Sequence, residues 1–253
     1  MLLSLRKPFK MIGKIVRTLL IIFLTGVIAV SLYNIWKINE VYRAEADAHK
    51  EVIKFKPTLP PSPLSDEPVV NKEVLDLKKQ NPDVIGWLTV PSTQIDYPFV
   101  QSKDNDFYLH RDINKDYLEA GTLFLDFRNK PDFSDFHTII YGHHMKNGSM
   151  FGDLREFKDE QFFNSNKEGF IFLEDKNYTI KFFAFLILSS TNDIVYGHLP
   201  SAKDEKTNFL SYIKNNAQYY RSIGVTETSQ LVTLSTCSYE FDEARMVLIG
   251  VIS

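Results

Sequence analysis

Leu231-Val232-Thr233-Leu234-Ser235-Thr236-Cys237 is followed, eight residues on, by Arg245-Met246-Val247-Leu248-Ile249-Gly250-Val251-Ile252. Both runs are apolar, rich in β-branched residues and too short for a typical helix, so they read as neighbouring buried strands. If 238–244 forms the connecting hairpin loop, the cysteine ends one strand where the arginine starts the next. Cys237 is the single cysteine of the chain. It has no intramolecular disulfide partner, so it serves packing or chemistry.

Working outward, similar runs occupy 84–90, 95–100, 121–127, 137–141, 169–173 and 178–188, each bounded by turn residues. Two stretches interrupt them with helical character: 151–163, and 203–220, where Phe209, Leu210, Ile213 and Ala217 fall at helical spacing. A short helix is expected over 71–80, with Asn71 as its N-cap and Asn81-Pro82-Asp83 ending it. Eight strands with inserted helices predict a mostly β fold built on a closed eight-stranded barrel.

The N-terminal end is of a different kind. Arg6, Lys7, Lys10, Lys14 and Arg17 lie in a block without acids, and 18–36 (TLLIIFLTGVIAVSLYNIW) carries no charge. At 1.5 Å per residue this run reaches roughly 28 Å, near the hydrocarbon thickness of a bilayer. A cleaved signal peptide fits poorly, because Val30, Ser31, Leu32 and Tyr33 after Ala29 offer no small-x-small site. The reading is a basic cytoplasmic tail (1–17), a transmembrane helix (18–36), an extracellular stalk (37–69) with proline-dense 56–68, and the mostly β domain (70–253). Positive residues before the span place the N-terminus in the cytoplasm and the domain outside. A net charge of −3 gives no sign of a nucleic-acid surface.

Outside the membrane cysteines are usually paired, so an unpaired one is either buried and inert or kept for a task. Nucleophilic catalysis by a thiol needs a proton donor for the leaving group and positive charge where an oxyanion develops. His143, in Ile139-Ile140-Tyr141-Gly142-His143-His144-Met145, follows an apolar strand and a glycine, and is the best candidate acid. Arg245 supplies a fixed charge and a planar fork of donors. The residues alone leave open a transpeptidase, a cysteine peptidase that hydrolyses, and an adhesive surface domain without chemistry.

The segment TLSTC with Arg245 eight residues on resembles the TLxTC-to-Arg signature of the sortases, cysteine transpeptidases of Gram-positive cell surfaces. IIYGHHM resembles the catalytic-histidine segment of that family. NPDVIGWLTVPSTQIDYPFVQSKDNDFYLHRD and the helix-like 203–220 segment are similar to class B sortases in particular. The resemblance covers roughly residues 70 to 253. It implies Cys237 as nucleophile, His143 as general acid and base, Arg245 as substrate and oxyanion holder, and Asn105, Leu109, Tyr141 and Ser235 as substrate-groove positions. His143 is chosen over His144 because the family histidine directly follows the glycine. The implied reaction cleaves a C-terminal sorting pentapeptide after Thr and joins the surface protein to a cell-wall amine of peptidoglycan precursor. Pilus polymerisation is the less favoured role, since the chain ends straight after its last strand and 56–68 lacks an acidic-aromatic lid motif. No cofactor and no metal is expected.

Overall fold

The apolar runs are strands because each alternates between two buried surfaces. The computed structural model describes residues 6–58, 69–237 and 243–253. Its strands are β1 (Val84–Thr89), β2 (Asp96–Val100), β3 (Leu123–Leu125), β4 (His137–Tyr141), β5 (Glu168–Leu173), β6 (Asn177–Ser189), β7 (Tyr219–Tyr220), β8 (Gln230–Cys237) and β9 (Ala244–Ile252). Their spatial order is β5-β1-β2-β3-β4-β8-β9-β6-β7, and β5 also pairs with β6. That last pairing closes eight strands into the expected barrel. The two-residue β7 is appended to β6 at Ala184 and Phe185. Closure is possible because β6 is long: residues 177–181 pair with β5, while 180–189 pair with β9. The β2–β3 and β4–β8 pairs are parallel, the others antiparallel.

Alternation assigns the faces of the three central strands. Ile140, Val232, Leu234, Met246 and Leu248 belong to the barrel core. Leu231, Val247 and Ile249 point the other way and pack with Phe183, Phe209 and Ile213. The latter cluster lies under the helix Lys203–Asn216, so Thr233, Ser235 and Arg245 hold positions on the outer face of the barrel, and Cys237 follows Thr236 at the end of β8.

Among the described residues four α-helices accompany the strands: α1 (Arg6–Val52), α2 (Lys72–Gln80), α3 (Glu160–Ser165) and α4 (Lys203–Asn216). Contacts divide the chain between Ala44 and Glu45. In the first unit α1 exposes apolar side chains from Ile15 to Ile38, and it is long and apolar enough to cross a membrane. The second unit, Glu45–Ser253, begins earlier than residue 70. The end of α1 and the following 3-10 turn (Ile53–Phe55), read from sequence as stalk, pack within it. Tyr97 Oη donates to Glu45 Oε1 at 3.1 Å, the His49 and Tyr97 rings lie 4.5 Å apart, and Val52 is buried. Of the proline-dense stretch, 59–68 lies outside the described residues.

Smaller differences have local causes. Asn71 precedes α2 but forms no side-chain cap; its amide nitrogen donates instead to the Leu173 carbonyl and to Asn177 Oδ1. The 121–127 run yields only Leu123–Leu125, because Asp126 begins a turn in which its carboxylate accepts from the Arg128 backbone N–H at 3.0 Å. The 151–163 stretch is a 3-10 helix (Gly152–Lys158) followed by α3, with Asp159 capping Phe162 N.

Candidate active site

Register brings the three candidate catalytic residues to one end of adjacent strands. Cys237 of β8 is the cross-strand partner of Arg245 in β9. On the other side of β8, Tyr141 of β4 is level with Ser235, and Gly142 N donates to the Ser235 carbonyl at 3.2 Å. His143 therefore leaves β4 at the same level at which β8 reaches Cys237. Of the loop expected at 238–244, residues 238–242 lie outside the described residues.

A cleft of about 290 Å³ opens at this end. Asn105, Leu109, Tyr141, His143, Ser235 and Arg245 line it, so the groove positions implied by resemblance converge in space. Phe124, Ser190, Tyr196 and Thr236 line it too and were not singled out in the sequence. Tyr196 comes from a single π-helical turn, Asp193–Gly197, whose start is capped by Asn192 Oδ1 accepting from Val195 N at 3.0 Å. The Tyr196 and Ser235 hydroxyls are 2.8 Å apart, and the rings of Tyr141 and Tyr196 lie nearly parallel at 6.4 Å. No apolar periodicity marks 193–197, which is why pattern reading passed over Tyr196.

His143 is held from three sides. Its Nε2 lies 2.7 Å from the Leu109 carbonyl, which can only accept, so Nε2 carries the proton and Nδ1 is the basic nitrogen. Its own carbonyl accepts from Phe151 N at 2.9 Å. The His110 ring lies 5.3 Å away. Burial lowers the His143 pKa most; the Leu109 carbonyl opposes this, His110 lowers it, Glu119 opposes and Arg245 lowers it further, leaving the net direction downward. The imidazole is thus neutral at neutral pH. His144 is instead bridged to Met150 and does not line the cleft.

Arg245 is half-buried, with Nη1 3.4 Å from the Ala244 carbonyl, and lines the cleft. Thr233, on the same outward set as Ser235, bonds His137 Nε2 at 2.8 Å beneath α4. Full burial pushes the His137 pKa down to about 3, so this second histidine is a neutral core residue. Among the described residues no group of His, Cys, Asp and Glu is arranged to hold a metal ion.

Cysteine, histidine and arginine positions thus gather at one rim of a closed barrel. The sortase domain model matches residues 88–252. Sortase B of Listeria monocytogenes is 37% identical over 234 residues, covering 88% of this chain and 92% of that protein. Among solved structures, sortase B of B. anthracis superimposes with a TM-score of 0.73 at 32% identity, covering 84% of this chain and 98% of the other. A Streptococcus pyogenes class B sortase involved in pilus biogenesis gives 0.65 at 37% identity, covering 70% and 96%. The chain belongs to the sortase family. Within it the relatives place this protein in class B, a sortase-type cysteine transpeptidase.

Proposed function

We propose that Cys237 is the nucleophile, His143 the general acid and base, and Arg245 the holder of the developing oxyanion. The observation that carries this is the register itself: Cys237 opposite Arg245, with His143 one step beyond the Tyr141–Ser235 pair. The Cys237 thiolate attacks the carbonyl of Thr in a C-terminal sorting pentapeptide. The carbon–nitrogen bond breaks as imidazolium His143 gives its proton to the departing amine, leaving a thioacyl-enzyme and neutral imidazole. An amine of peptidoglycan precursor then attacks the thioester and gives a proton to His143, and the thiolate leaves. Surface proteins bearing the sorting signal are thereby joined to the wall. Asn105, Leu109, Tyr141 and Ser235 line the groove in which the pentapeptide is read.

A free thiol has a pKa near 8.5, and His143 is pushed below its ordinary value by burial. The reactive thiolate–imidazolium pair is then a minority of molecules at neutral pH, and slow turnover follows. The apolar helix anchors the enzyme with its N-terminus in the cytoplasm and the barrel outside, where substrate and acceptor share a thin layer at raised effective concentration. A pilus subunit is a second reading of the cargo, favoured by the S. pyogenes relative. The test offers sorting peptides with and without a glycine amine or a lysine side-chain amine. An amine-joined product supports transpeptidation and ranks the two acceptors; free acid alone in every arm contradicts it in favour of hydrolysis.

A further inference from the structure

Under the cleft floor lies a carboxylate that none of these steps uses. Asp126 directly follows β3 and is fully buried. Arg128 donates to both of its oxygens, Nε to Oδ1 at 2.8 Å and Nη2 to Oδ2 at 2.7 Å. Tyr141 Oη donates to Oδ2 at 3.0 Å, and Asn105 Nδ2 does so at 3.2 Å. Burial alone would raise the Asp126 pKa, but the hydrogen bonds and charge of Arg128, with the Tyr141 hydroxyl, outweigh it and hold the group ionised.

What distinguishes this pair from a purely structural one is where its bonds end. Asn105 and Tyr141 both line the cleft. Arg128 Nη1 also donates to the carbonyls of Tyr196 and Gly197, tying down the π-turn that brings Tyr196 to the cleft. Three separate segments meet on one ion pair, the loop at 105 and β4 on Asp126 and the turn at 196 on Arg128. The consequences for a bound peptide are specific. Asn105 Oδ1 accepts from Phe127 N at 3.0 Å while Nδ2 faces Asp126, so the amide cannot flip, and its remaining N–H and lone pair have a set polarity. With its hydroxyl turned to Asp126, Tyr141 offers the cleft its ring, nearly parallel to that of Tyr196. Arg128 reaches solvent while Asp126 is fully buried, so the pair sets a desolvated carboxylate directly behind the groove-lining side chains that donate to it.

We infer that Asp126 is a specificity-determining positioning residue: through Asn105, Tyr141 and Arg128 it sets the polarity and width of the groove that reads an extended peptide with an amide-bearing or small polar side chain. This rests on the transpeptidase reading above.

The experiment uses the full chain in detergent micelles and a library of sorting pentapeptides that keep Thr at the cleaved position and vary the residues before it, reading thioacylation kinetics and the rate of Cys237 alkylation by iodoacetamide. For Asp126→Asn the expected result is a KM raised roughly tenfold to a hundredfold, the range for losing hydrogen bonds to a buried charge. Expected alongside it are a kcat within about threefold of wild type and unchanged alkylation. Added to Asn105→Ala with Tyr141→Phe, the same change should raise KM further by a clearly smaller factor than in wild type, since two of the three groups it acts through are gone and only the route through Arg128 remains. A lowered kcat at constant KM, or a full multiplicative penalty in that background, would overturn the inference. Should Asp126→Asn not fold, the Asn105→Ala, Tyr141→Phe protein decides: a wild-type KM there overturns it as well. A wild-type enzyme that thioacylates no library peptide removes the transpeptidase reading itself, an outcome distinct from any of these.

Discussion

Gly142 links the strand to the candidate acid, and replacing it by alanine tests whether core packing positions His143. A Cβ at 142 would lie 2.4 Å from Leu123 Cδ2 and 2.8 Å from Phe151 Cδ2. Neither neighbour has room to retreat, since both are fully buried in the barrel core. Relief must come from core side chains leaving their rotamers or from the 142–143 backbone lifting away. The backbone is pinned by Gly142 N on Ser235 O and by Phe151 N on His143 O. Overpacking of this kind costs about 1–3 kcal/mol. For a domain of this size each kcal/mol moves the melting temperature by about 2–4 °C, so a fall of about 2–12 °C is expected. Displacement of His143 by a fraction of an ångström should lower kcat by about tenfold or more while leaving peptide KM within about threefold. Calorimetry of the detergent-solubilised protein and steady-state transpeptidation on one preparation read both quantities. A melting temperature within about 1 °C of wild type together with wild-type kcat would refute the reasoning, because the strand end would then be soft.

Three further outcomes are expected. The folded pKa of His137 lies near 3, below its unfolded value of about 6.5, so the unfolded chain binds the extra proton between those pH values. Stability from this group is complete above pH 6.5 and falls by about 1.4 kcal/mol per unit below it, so urea unfolding at pH 5 should show about 2 kcal/mol less than at pH 7; a His137→Asn protein with the same pH slope would contradict this. Arg245→Lys keeps the charge but loses the planar fork, and transpeptidation kinetics should show kcat down about a hundredfold or more with an unchanged melting temperature; near-normal turnover removes Arg245 from the mechanism. Tyr97→Phe strands the buried Glu45 carboxylate and the Met150 N–H, its partners at 3.1 and 3.2 Å, and should cost about 1–3 kcal/mol by denaturant unfolding; a change below about 0.3 kcal/mol would mean that the end of α1 is not held there.

Legibility in the sequence followed the range of the physics involved. The runs that became β4, β8 and β9 were readable because two-sided burial demands continuous apolar stretches, and the cysteine and arginine could be placed at their ends. The fold class followed from counting such runs. Closure through β5 and β6 was not readable as a pairing, since register between strands distant in sequence leaves no local mark. Nor was Tyr196, which depends on a five-residue turn held by Asn192 and by Arg128. Asp126 looked like part of a strand; its meaning comes from Arg128, Tyr141 and Asn105 meeting around it. The packing of Glu45, His49 and Val52 was hidden because a charged helical segment with a narrow apolar stripe reads equally as an exposed stalk.

The central claim is that Cys237 carries the acyl chain. Mass spectrometry of the full-length protein, quenched in acid after mixing with sorting peptides, tests it directly. The expected result is a thioester adduct on Cys237 with the mass of the peptide ending at Thr, accumulating without acceptor amine, discharged when amine is added, and absent from His143→Ala. A joined product formed with Cys237 unmodified throughout, or by a Cys237→Ala protein, would contradict the account.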